Sequence, residues 1–133
     1  MAKIIYLHGF ASSANSTKAL QLKKHILENY SKTEIIIPDI ENNIVDAVQQ
    51  INKLIEEFSP SALIGSSLGG FYATYFSEQY NLKCVGINPA VIPPAEMSEY
   101  LGENKNYSTG EKFLITQEQL DLLDRMGREI NVI

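Results

Sequence analysis

Four short apolar runs recur along the chain, and helix-length stripes separate them. The runs are Ile4 to Leu7, Glu34 to Ile37, Ala62 to Gly65 and Cys84 to Asn88. Continuous apolar runs that do not alternate with polar residues suit strands buried on both faces, as in a parallel sheet. Between the first two, Ala19, Leu22, Ile26 and Tyr30 fall at helical spacing, which predicts a helix over Thr17 to Asn29. Ile44, Val48, Ile51, Ile55 and Phe58 form one stripe of a second helix from Asn43 to Phe58, broken by "SPS". A third runs from Leu68 to Gln79, with Phe71, Tyr72, Tyr75 and Phe76 on its buried side. Strand–helix repeated three times, with crossovers this long, predicts an α/β fold: three α/β/α layers around a mostly parallel sheet of about four strands.

The tail differs in character. "PPAEMSEYLGENKNYSTGEKF" is Pro-rich and then polar, which predicts a short helix near Ala95 to Leu101 followed by a surface loop. Thr116 and Gln119 make a capping-box pattern ahead of Leu120, Leu123 and Met126, with Gly127 as the stop.

Composition narrows the function classes. With 133 residues the chain suits one domain, and a net charge of −5 argues against a nucleic-acid binder, which needs a basic face. Lys23-Lys24 reads as a solvated helix face. The single cysteine, Cys84, sits in the run "CVGIN" and reads as a small core residue. One cysteine makes no disulfide, and no metal-binding spacing appears, so neither metal nor cofactor is expected. No apolar run reaches membrane-span length, and the first ten residues are too short in apolar character for a signal peptide. A cytoplasmic protein without membrane contact is the expectation.

Gly65-Ser66-Ser67-Leu68-Gly69 fits G-x-S-x-G, between a strand and a helix. A sharp turn there lifts the Ser67 hydroxyl off the end of the sheet. Gly65 and Gly69 relieve the crowding around it, and the Leu68 amide sits at a helix N-terminus where it can donate to an oxyanion. The alternative reading of these five residues is a tight strand–helix turn without chemistry. "YLHGFASS" ends the first strand. If the second and third strands flank the first, strand order switches between the first and the third. His8, Gly9 and Phe10 would then share a crevice with Ser67, with the Phe10 N–H as the second oxyanion donor.

Taken together and in order, "YLHGFASS", "GSSLGGFYATY", "INPAVIP" and "YLGENKNYSTGEKF" resemble the YqiA-like small bacterial esterases of the α/β-hydrolase superfamily. The resemblance covers nearly the whole chain. It implies an α/β-hydrolase fold without the leading antiparallel strands, and activity on small acyl esters or thioesters. It implies Ser67 as nucleophile, the Phe10 and Leu68 amides as the oxyanion hole, and His8 and Gly9 as residues shaping its loop. Asn88 and Pro89 match a motif of structural role.

The fold's triad order is Ser, acid, His, yet both histidines, His8 and His25, precede Ser67. The resemblance therefore implies a single α/β-hydrolase-like domain over residues 1–133 that is incomplete at its C-terminus, with impaired hydrolysis because a serine without its base is a weak nucleophile. The alternative is a non-catalytic binding or interaction module that uses the same crevice for a carboxylate or phosphate. His8 is the one candidate for a substitute base, but its place in the oxyanion loop leads us to expect that it holds that loop; His25 is expected to lie on the surface, and Asp121 and Asp124 to be solvated. Asp39 is a candidate for the crevice rim. The strand at 84–88 should be a sheet edge, covered by a second copy, by residues 111–133 or by another partner.

Overall fold

The computed structural model describes residues 2–87 and 97–130. Four strands, β1 (Lys3–Leu7), β2 (Glu34–Ile36), β3 (Ala62–Ser66) and β4 (Lys83–Ile87), form one parallel sheet in the order β2-β1-β3-β4. Helices α1 (Thr17–Asn29), α2 (Ile44–Phe58) and α3 (Leu68–Tyr80) make the crossovers. Each begins or ends where local chemistry dictates. Ser16 caps α1 by accepting from the Ala19 N–H, and Asn43 caps α2 by accepting from the Asp46 N–H. Ser59, from the "SPS" break, closes α2 in a left-handed conformation at φ 52°.

Right-handed crossovers place α1 on one face of the sheet and α2 and α3 on the other, because the chain reverses direction across the sheet after β2. The packing follows. Ile5, Leu7 and Leu63 join Ile44, Ile51, Phe71, Tyr72 and Phe76 in one apolar core, while Tyr6, Ala19 and Ile26 are buried outside that cluster. Three layers, α/β/α, result.

Several expectations are corrected. The segment after Leu101 is not a loop. It is a two-stranded antiparallel hairpin, β5 (Gly102–Lys105) and β6 (Lys112–Ile115). Its first strand, Gly-Glu-Asn-Lys, is polar because that part of the ribbon faces solvent, and the apolar part of the second is only three residues long, which hides the pair from a pattern search. A single 3₁₀ turn, Ser98–Tyr100, flanked by Met97 and Leu101, precedes it; Ala95 and Glu96 of the short helix expected over Ala95 to Leu101 lie outside the described residues, as do Asn88, Pro89 and the last three residues. Gly127 does not stop the last helix, α4 (Gln117–Glu129), which continues to Ile130 as its cap. Tyr30 is exposed because it is the cap residue beyond α1. Cys84 is exposed rather than core, since among the described residues β4 is the outermost strand and pairs with β3 alone. Helix α4 packs on α2 and α3, and Lys83 to Gly86 of β4 stay exposed, so the described part of 111–133 leaves β4 uncovered.

Candidate active site at the end of strands β1 and β3

The order β2-β1-β3 makes the C-terminal ends of β1 and β3 the point where strand order reverses. Ser67 stands there, at the N-cap position of α3. Its backbone is at φ 55°, ψ −119°, a conformation that L-residues rarely adopt and that costs on the order of 1–3 kcal/mol. Its hydroxyl makes no capping bond to the helix. The turn is held instead through the backbone: the Ser67 N–H donates to the Ile87 carbonyl at 3.1 Å, and the Ser67 carbonyl accepts from Gly70 and Phe71. Among buried residues on both sides, Ser67 is the exposed one.

Both flanking glycines are required by contact. A Cβ on Gly65 would lie 2.1 Å from the Gly69 carbonyl oxygen, and one on Gly69 would lie 2.0 Å from the Leu7 carbonyl oxygen and 2.5 Å from that of His8. The elbow is thus pressed directly onto the end of β1. Gly9 completes the junction: a Cβ there would meet the Ser67 Cβ at 3.3 Å. The His8-Gly9-Phe10 loop and Ser67 are therefore neighbours. A cleft of about 340 Å³ opens over them, lined by Gly9, Phe10, Ser67, Leu68, Glu99 and Tyr107 among others. The first N–H groups of α3, Leu68 foremost, have no intrahelical acceptor. With the helix dipole they make the cleft floor suited to a carbonyl oxygen or an anion.

His8 is buried, and both ring nitrogens are engaged. Nε2 accepts from the Ile40 N–H at 2.9 Å, so Nδ1 carries the proton and donates to the Gly9 carbonyl, also at 2.9 Å. The ring ties the loop after β1 to the segment after β2. Burial holds its pKa below the usual histidine value, against the opposing pull of the Gly9 bond and the Asp39 charge. A neutral, doubly bonded imidazole holds the loop and has no free nitrogen for Ser67. His25 lies exposed on α1 beside Asn29. Asp39 does not line the Ser67 cleft. It accepts from the Ala14 N–H at 2.8 Å and borders a separate depression with Asn42, Asn106 and Glu111. Asp121 bonds Gln117, and Asp124 pairs with Arg128 on the outer side of α4. Among the described residues no group of three His, Cys, Asp or Glu is placed to hold a metal, and no helix is long and apolar enough to cross a membrane.

The roles of three residues, Glu99 at the cleft and Gln119 and Asn106 away from it, escape the sequence reading. Glu99 brings the one carboxylate among the described lining residues. Burial, and then the Glu99 charge, raise the Tyr100 phenol above its ordinary pKa. Gln119 is buried, and its Oε1 accepts from the Ile44 N–H while Nε2 donates to the Leu114 carbonyl, so this half of the capping pattern bridges α2 and β6. Asn106 is buried at the hairpin turn. Only Gln119 carried a local signal, and it pointed to capping.

Residues 3–129 match the model of an uncharacterised protein family, UPF0227. The chain belongs to this family. A UPF0227 protein of Pectobacterium atrosepticum is 30% identical over 108 residues, covering 78% of this chain and 59% of that protein. The chain thus spans about three-fifths of the length of that curated relative. Two solved structures share the fold. Mouse alpha/beta hydrolase domain-containing protein 10 matches with a TM-score of 0.67 over 93% of this chain and 61% of its own, at 16% identity. Est1E of Butyrivibrio proteoclasticus, bound to ferulic acid, matches with a TM-score of 0.70 over 94% of this chain and 61% of its own, at 13% identity. At such identities the likeness is one of fold. This UPF0227 chain has the α/β-hydrolase architecture, in agreement with its resemblance to the YqiA-like proteins.

Proposed function

We propose that this chain carries the nucleophile and the oxyanion donors of a serine hydrolase acting on small acyl esters or thioesters. Ser67 is the nucleophile, and the N–H groups of Phe10 and Leu68 receive the oxyanion. The observation that carries this reading is the conformation of Ser67: an exposed hydroxyl on a strained N-cap that does not cap its helix, packed against Gly9 at a strand-order reversal. Strain of this kind, held by surrounding backbone contacts, points to a function for the side chain it displays. The α/β-hydrolase fold of the structural neighbours supports the same class of chemistry.

In this mechanism Ser67 Oγ attacks the acyl carbon as its proton passes to a base. The alkoxide or thiolate leaves with a proton, and water then releases the acid from the acyl-enzyme. Two oxyanion donors matter because losing one costs about 3 kcal/mol of transition-state stabilisation. The base is not among the two histidines of these 133 residues: His8 spends both nitrogens on its loop and His25 lies on α1. Removing the histidine of a serine–histidine pair costs on the order of 10⁶ in turnover, so slow hydrolysis is expected of the 133 residues alone.

That observation favours a second reading, a module that binds a carboxylate or phosphate in the same cleft without turnover. A fluorophosphonate probe separates the two. Labelling at Ser67, slow without the base but aided by the strained elbow and oxyanion donors, found by mass spectrometry and lost in Ser67→Ala, supports the hydrolase. No labelling, with acetate or phosphate shifting the Gly9 and Leu68 amide resonances, supports the module. Neither response would sink both.

A further inference from the structure

The polar motif "NYSTG" at residues 106–110 forms the turn of the β5–β6 hairpin, and it sits against the loop that follows β1. Asn106 is 2% exposed, and its side-chain amide uses its full bonding capacity. Oδ1 accepts from the N–H groups of Ser108 and Thr109 at 2.9 and 3.0 Å, which builds the turn. Nδ2 donates to the Ser12 carbonyl at 3.0 Å and to Asn42 Oδ1 at 2.8 Å, which reaches out of the hairpin to two other loops.

Further contacts join the loop after β1 to the hairpin and to the turn that precedes it. The Tyr107 N–H donates to the Ala11 carbonyl at 3.1 Å, and the Ser13 and Ser108 hydroxyls are hydrogen-bonded to each other. The Phe10 ring packs between Tyr100 and Phe113, with ring centroids 4.7 and 5.6 Å away. Ala11 itself stands at φ 54°, a left-handed position that a residue with a Cβ keeps only under external constraint. The hairpin supplies that constraint, and the strained Ala11 directly follows the residue whose N–H must be aimed.

We propose that Asn106 is a positioning residue for the Phe10 amide: through its bonds to Ser12 and Asn42 the hairpin clamps the β1 loop in the strained form that points the Phe10 N–H into the Ser67 cleft. The proposal deepens the hydrolase reading and rests on it for the role of that amide. Asn106 does not line the Ser67 cleft, so its effect on the chemistry is indirect.

The test compares Asn106→Asp with the wild type. Aspartate keeps the two turn bonds but loses both donations and sets a carboxylate against the Ser12 carbonyl. Two readouts are taken on chains whose circular dichroism is native. The first is the backbone order parameter of the Phe10 and Leu68 amides. Phe10 should fall from the rigid range near about 0.85 toward the flexible range below about 0.6, with Leu68 unmoved. The second is the rate of fluorophosphonate labelling at Ser67, expected to fall at least about tenfold. Asn42→Ala, which removes one acceptor at a half-buried site, should shift both in the same direction by less, and it serves if Asn106→Asp fails to fold. An unchanged Phe10 order parameter in a folded variant overturns the proposal. A loosened Phe10 with labelling within twofold of wild type overturns its link to the site. If the wild type is not labelled at all, the hydrolase reading fails, and the order parameter still decides whether Asn106 holds the loop.

Discussion

Adding one methyl group at Gly69 tests the junction on which the whole site depends. Its Cβ would stand 2.0 Å from the Leu7 carbonyl oxygen, where ordinary contact begins near 3.4 Å, so about 1.4 Å of movement is needed. The obstacles are backbone atoms at the end of a central strand, not the tip of a flexible side chain. Overpacking typically costs about 1–3 kcal/mol, and an obstacle this rigid places Gly69→Ala at the top of that range, about 3 kcal/mol. The control is Gly127→Ala. There a Cβ would meet the Phe71 ring at 3.8 Å, an ordinary contact, inside α4. Replacing a helix-interior glycine by alanine gains up to about 1 kcal/mol. The two changes, chemically identical, should therefore move stability in opposite directions. Urea unfolding reads them: with a slope of about 1–3 kcal/mol per molar, Gly69→Ala should lower the midpoint by at least about 1 M, while Gly127→Ala raises it. Displacing α3 by an ångström also misplaces Ser67, and an error of that size costs about 10²-fold in reactivity, so probe labelling should collapse in Gly69→Ala alone. A Gly69→Ala midpoint within about 0.3 M of wild type would refute the close packing of elbow on strand.

Three further outcomes follow from the same contacts. Ser67→Gly removes the left-handed strain at φ 55° and should stabilise the fold by about 1 kcal/mol while abolishing labelling, so a destabilised variant would mean the backbone there is unstrained. Because burial lowers the His8 pKa, the unfolded chain binds its proton first; stability is complete above the ordinary histidine value of 6.5 and falls as pH drops below it toward the folded pKa. His8→Gln should flatten that part of a urea-midpoint profile between about pH 7.5 and 5, and an unchanged slope would assign the effect elsewhere. In β4 the Lys83 amide and the Ile87 carbonyl point to the β3 side, so by alternation Cys84 and Gly86 present their backbone groups to the edge that no described strand covers, beside a 55% exposed Val85. We propose that two copies pair there antiparallel: light scattering should report a concentration-dependent dimer that Val85→Lys abolishes, and a monomer at about 100 µM would end the idea.

Period and punctuation alone determined much of this protein. Short apolar runs closed by Gly, Pro or Ser set four strands, 3.6-residue stripes set the helices between them, and G-x-S-x-G at a strand–helix junction marked Ser67, because these signals are local and each is read within a few residues. The three-dimensional fold decided what local signals do not carry. Cys84 sits in an apolar run, yet its burial depends on what flanks its strand, and among the described residues β4 has β3 alone. Asp39 and His8 both follow strand ends; only the packing of three loops assigns one to a separate depression and locks the other by both nitrogens. The hairpin and Asn106 were illegible because their partners, Ser12 and Asn42, lie 94 and 64 residues away. A buried polar side chain is defined by the groups that satisfy it, and those are chosen by tertiary contact.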